Sequence, residues 1–86
     1  MKLYVVFIED RHINVIARPF DDRQSAIDFA DSVIPWDDVD EEDDEQGEQE
    51  LTPEMIKRGW VWYCVYSSEG DSVRVVETTL NDTSAP

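Results

Sequence analysis

The sequence predicts an α+β domain in which one main amphipathic helix separates two β-hairpins. Three observations predict it. Two short runs, at 3–8 and 60–66, are apolar on both alternating faces, the pattern of strands lodged inside a sheet. Each is followed by a polar turn and a second, more polar alternating run, which reads as a returning strand. Between the hairpins lies a stretch whose apolar residues recur at helical spacing.

Taken in order, Lys2 to Phe7 is rich in β-branched and aromatic residues, with Leu3, Val5 and Phe7 on one face and Tyr4, Val6 and Ile8 on the other; it reads as a central strand. After the polar break Glu9-Asp10-Arg11, the residues Ile13, Val15 and Ala17 alternate with His12, Asn14, Ile16 and Arg18, a half-exposed strand that ends at Pro19 for want of a ladder donor. Asp21 or Asp22 is placed to cap the helix that follows. Its stripe is Ala26, Phe29, Ala30, Val33 and Ile34, with Gln24, Asp28 and Asp31 outside, and Pro35 stops it. Thr52-Pro53-Glu54 has the order of N-cap, first-turn proline and acid, and opens a short helix that closes at Gly59. Trp60 to Tyr66 is the second central strand, with Trp60, Trp62, Cys64 and Tyr66 expected on one face. Ser68 to Asp71 turns the chain, and Ser72 to Leu80 returns as a polar edge strand. The expected architecture is ββα(α)ββ: a four-stranded antiparallel or mixed sheet in spatial order 2-1-3-4, with the main helix on one face. Residues 1–80 form one domain in this scheme, with an acidic segment inserted at 37–50 as a loop, and 81–86 form a flexible tail.

The formal charge is −14, and it is concentrated. Ten of the fourteen residues from Asp37 to Glu50 are acidic, whereas the other 72 residues carry a net charge of −4. No Lys, Arg or His occurs in the 33 residues from Gln24 to Ile56. Adaptation to high salt would spread the acid over the whole surface, which this distribution does not do. Two carboxylates about 6 Å apart repel by about 0.7 kcal/mol even in bulk water. A run of them must therefore be solvated, screened, or matched by something positive.

Several kinds of chemistry are not supported by the residues present. The single histidine, His12, falls at a hairpin turn, and the single cysteine, Cys64, falls inside an apolar strand with no basic neighbour; no nucleophile–base pair is visible, so no catalytic residue is assigned. A calcium loop aligned on Gly47 would need an acid where Pro53 stands, so no metal site is assigned, and no cofactor motif is present. The charge opposes direct binding of nucleic acid. One cysteine permits no intramolecular disulfide, which points to a reducing cytoplasm. The apolar start is too short to span a membrane and is not followed by a signal-peptide layout, so the mature protein is expected to be the whole chain.

In size, acidity and hairpin–helix–hairpin layout the chain resembles the small phage-encoded proteins that block host defences. Anti-CRISPR and anti-restriction proteins are among them, and several mimic DNA. The resemblance is one of class and assigns no individual residue. It implies a non-enzymatic inhibitor acting in the host cytoplasm on a basic, nucleic-acid-handling protein. The residue pattern names the carboxylates for that contact: Asp37, Asp38, Asp40, Glu41, Glu42, Asp43, Asp44, Glu45, Glu48 and Glu50, joined by Asp28 and Asp31 of the helix. The alternative is a small interaction, assembly or antitoxin-like subunit that binds through an aromatic sheet surface of Trp60, Trp62 and Tyr66. Two doubly apolar strands and one helical stripe leave about one sheet face to be covered, either by the short helix with Trp36, by a partner, or by a second copy in a homodimer.

Overall fold

The computed structural model describes residues 2–11, 14–40 and 42–79. The proposed tail at 81–86, Leu80, His12, Ile13 and Glu41 lie outside the described residues. The fold is α+β, built from strands β1 (Lys2–Glu9), β2 (Ile16–Phe20), β3 (Gly47–Glu48), β4 (Trp60–Val65) and β5 (Ser72–Thr79), with helices α1 (Arg23–Ser32) and α2 (Pro53–Lys57).

Local chemistry explains both helices. At α1 the Asp22 carboxylate accepts from the Ser25 amide at 2.8 Å, a contact that also holds the Asp22 carboxyl below the usual carboxylate range. The helix presents Ala26 and Ala30, both fully buried, to the sheet; such small residues let the helix lie close against β1 and β5. At α2 Thr52 accepts from the Met55 amide at 3.2 Å, and Gly59 leaves the helix at φ +90°.

The sheet has five strands in the order β2-β1-β5-β4-β3, all antiparallel. The expected order 2-1-3-4 is therefore corrected in two respects. The second hairpin enters with its other strand beside β1: β5 is central, and Val73 and Val75 are completely buried. Because β5 runs opposite to both β1 and β4, setting β4 against β1 would have made a parallel pair; the observed order keeps every pairing antiparallel. The polarity that suggested an edge is largely Arg74, and it is neutralised in place by an ion pair with Glu9 and by stacking over Phe7 at 4.8 Å and Trp60 at 5.2 Å. The fifth strand is β3, from inside the acidic segment. At the other edge, β2 starts at Ile16, later than expected, and runs through Pro19, which pairs with Val5; an edge strand tolerates the missing donor.

A register shift between Trp60 and Trp62 divides the aromatic stripe. Trp62 stands opposite Val75 and Trp60 opposite Val76, successive residues of β5 whose side chains point to opposite faces. Trp62 and Tyr66 consequently lie in the core beneath α1, 9% and 7% exposed. Trp60 lies on the far face, edge-on to Tyr63 at 5.2 Å. The expected surface of Trp60, Trp62 and Tyr66 does not exist as one surface.

The core occupies the α1 side of the sheet, where Val6, Ile8, Val73, Val75, Trp62, Cys64 and Tyr66 meet Ala26, Ala30 and Ile34. The opposite face carries Leu3, Val5 and Phe7 of β1, Arg74 and Val76 of β5, and Trp60, Tyr63 and Val65 of β4. Of the two proposed covers, Trp36 does not lie across it and α2 stands at its Trp60 end. Trp36 goes to the helix side, where its indole N–H donates to the Asp31 carbonyl at 3.1 Å. α2 packs against β4, beside a cleft lined in part by Trp60, and leaves Ile56 59% exposed.

Candidate functional site: the acidic segment

The segment 37–50 is not the solvated loop that its composition suggests. Its four non-acidic residues, Val39, Gln46, Gly47 and Gln49, fasten it to the domain. Val39 enters the core and is 8% exposed. Gln46 accepts from the Asp40 amide at 3.1 Å and donates to the Asp43 carboxylate at 3.2 Å. Gly47, at φ +89°, turns the chain into β3, where it pairs with Val65. The Gln49 amide donates to the Tyr63 carbonyl at 2.8 Å, and its side chain donates to the carbonyls of Asp44 and Gly47.

Fastened this way, the acids are left outside. Asp37, Asp38, Asp40, Glu42, Asp44, Glu45, Glu48 and Glu50 are exposed, and Asp43 is half-buried. Two of them also serve the backbone: Asp40 accepts from the Glu42 amide at 3.0 Å and Asp43 from the Glu45 amide at 2.9 Å. Each such bond uses one carboxylate oxygen, and the charge remains. Among the described residues, the ion pairs are Lys2–Glu77, Arg11–Glu69, Arg58–Glu54 and Arg74–Glu9; none reaches the acidic segment.

Of the two helix acids of the expected contact set, Asp31 adjoins the start of this array. Burial pushes the Cys64 thiol up to about 11, and the carboxylates of Glu48 and Asp31 add to the rise. Asp28 lies one turn before Asp31 and shares its outer helix face. The Trp36 bond to Asp31 ties the start of the segment to the same place. Of the expected partner contacts, the described members of the segment are exposed or half-buried and Asp31 adjoins the segment's start, whereas Asp28 stands on α1, whose main packing is against β1, β5 and β2 and not at the β3 edge. Glu41 lies outside the described residues. Among the described residues, no group of three or more His, Cys, Asp or Glu is arranged to hold a metal ion, and no helix is long and apolar enough to cross a membrane.

A second polar cluster ties the two hairpin ends together. The Tyr66 hydroxyl donates to Asp10 at 2.6 Å. Asp71, only 4% exposed, accepts from the Arg11 amide and the Ser67 hydroxyl, each at 2.9 Å. Burial, then the Asp10 hydrogen bond, raises the Tyr66 phenol well above its ordinary value. Its members satisfy one another, as buried polar groups must. No protein-family model matches the chain, and no curated protein or solved structure matches it. The acidic edge therefore has to be interpreted from its own chemistry.

Proposed function

We propose that the chain is a non-enzymatic acidic binding protein that occupies the basic groove of a nucleic-acid-handling protein in place of the nucleic acid. The observation that carries this reading is the division of labour within 37–50. The non-acidic residues hold the segment to the core and sheet, while the described acids face solvent without a basic partner. A solubilising loop needs no anchor in the core. An array fixed to a rigid edge keeps its charges in place, which lowers the ordering cost of binding.

Duplex DNA presents one negative charge per ~1.7 Å of its axis, and its binders line their grooves with Lys and Arg to match. A fixed carboxylate array meets such a groove with the same sign and a similar density. Long-range attraction steers the encounter, so association is fast and sensitive to salt. The likeness in class to phage counter-defence proteins fits a target among host defence complexes, met in the host cytoplasm.

The test is competition. A protein captured by the chain is loaded with fluorescent duplex DNA, and the chain is titrated in. Displacement of the DNA by the wild-type chain, and its loss on Asn and Gln substitution through Asp40 to Glu45, supports the proposal. Capture that leaves the DNA in place, or that survives neutralisation of those residues, rejects it in favour of binding through another surface.

A further inference from the structure

The open face of the sheet is the part of the surface that the acidity spares. Its described charged residues are Glu9 and Arg74, which are paired with each other, on a chain of formal charge −14. Every other described carboxylate lies on the α1 side, in a helix, or in a connection or turn. What remains is a neutral apolar field of Val5, Phe7, Trp60, Tyr63, Val65 and Val76, locked at its centre by the Arg74 guanidinium over Phe7 and Trp60. We infer that this face is the interface of a two-fold homodimer, in which each copy covers the other's open sheet.

Charge selects a second copy over a charged partner. A basic protein is drawn to the β3 edge and gains no ion pair on a face whose described strand charges, Glu9 and Arg74, are already matched, as are Glu54 and Arg58 of α2 beside Trp60. An identical neutral face meets it without desolvating an unpaired charge, and a two-fold contact requires self-complementarity of this kind. With the axis along the strands, the β3 edge of one copy lies over the β2 edge of the other, so the two acidic segments sit at opposite sides. The four inter-strand spacings of about 4.8 Å from β2 to β3 hold them roughly 20 Å apart, more than twice the ~8 Å screening length of physiological salt. The face measures roughly 400 Å² per copy by the same spacing, which with side-chain relief brings the total near ~1,000 Å², the lower limit for a specific interface. The dimer is accordingly weak.

Sedimentation equilibrium of the full chain from about 10 to 500 µM tests it, in salt from about 0.05 to 0.5 M. The expected result is a monomer–dimer equilibrium that shifts toward dimer as salt screens the like charges. Tyr63→Glu and Val5→Glu, made separately, each weaken it by roughly tenfold or more by burying a charge in the apolar contact. Asp21→Asn, exposed in the connection between β2 and α1, leaves the dimer intact. Far-UV circular dichroism identifies a variant that has lost its fold, and the wild-type salt trend needs no variant at all. A chain that stays monomeric throughout overturns the inference, as does a dimer that dissociates with salt or one indifferent to both folded variants. Groove binding through the acids weakens with salt whereas this dimer strengthens, so either reading can fail without the other.

Discussion

Val39→Ala separates an anchored acidic segment from a solvated one. The side chain is 8% exposed and belongs to the same core cluster as Ile34, Trp62 and Cys64. Removing two buried methyl groups costs about 0.8 kcal/mol each in transfer free energy, and incomplete collapse of the space they leave brings the total to about 2 kcal/mol. That is a large share of the roughly 4–13 kcal/mol expected for a chain of this length. Urea unfolding followed by tryptophan fluorescence should show a midpoint lowered by about 1–2 M with an unchanged slope. The Gln49 amide, which bonds to the Tyr63 carbonyl, should lose hydrogen-exchange protection in parallel. Asp38→Ala, one residue away and exposed, should be neutral or slightly stabilising, because it removes a like charge. A Val39→Ala loss below about 0.5 kcal/mol, the range of surface substitutions, would refute the anchoring and return the segment to a loop.

Four further outcomes follow from the geometry. A Cβ on Gly59 would sit 2.6 Å from the Glu77 carbonyl oxygen, whereas one on Gly70 meets open space at nearly the same φ; Gly59→Ala should cost about 2–4 kcal/mol in chemical denaturation and Gly70→Ala only about 1 kcal/mol. Asp40→Asn should preserve the fold while removing a charge, since an amide oxygen still accepts from the Glu42 amide; thermal unfolding should show no loss. Tyr66→Phe deletes the hydroxyl bond to Asp10 and should lower stability by about 1.5–2 kcal/mol, read from the urea midpoint. Folding raises the Cys64 thiol from 9.0 to about 11 by burial; its contribution is therefore complete below pH 9 and lost as pH rises through 11. The raised Tyr66 phenol acts in the same direction from about pH 10 upward. The melting temperature should fall between about pH 9 and 11, and a flat profile there would contradict the burial of both groups.

What the sequence discloses and what it hides divide along locality. Asp22 capping α1, the Thr52-Pro53 start of α2 and the stop at Gly59 are local chemistry, and they are legible without a structure. Strand order is not local: the apolar count favours β4 beside β1, whereas β5 fits there because the pairing stays antiparallel and Arg74 is stacked and paired. The shift between Trp60 and Trp62 has no sequence signal of its own; strict alternation places the two rings together, and one irregularity parts them. The acidic segment did carry a signal, in its exceptions. Val39, Gln46, Gly47 and Gln49 interrupt a run that needs no interruption if it is only solvated, and these are the residues that hold it down.

The claim at the centre of this account is that the fixed carboxylates of 37–50, with Asp31, are the binding surface. The most direct test is the affinity of the chain for its captured partner across salt, measured by calorimetry for the wild type and for a chain neutralised through Asp40 to Glu45. The account predicts a fall of at least about tenfold for the wild type between about 0.05 and 0.5 M salt, and a weak, nearly salt-independent residue of binding for the neutralised chain. Equal affinities for the two chains, unchanged across that range, would contradict it.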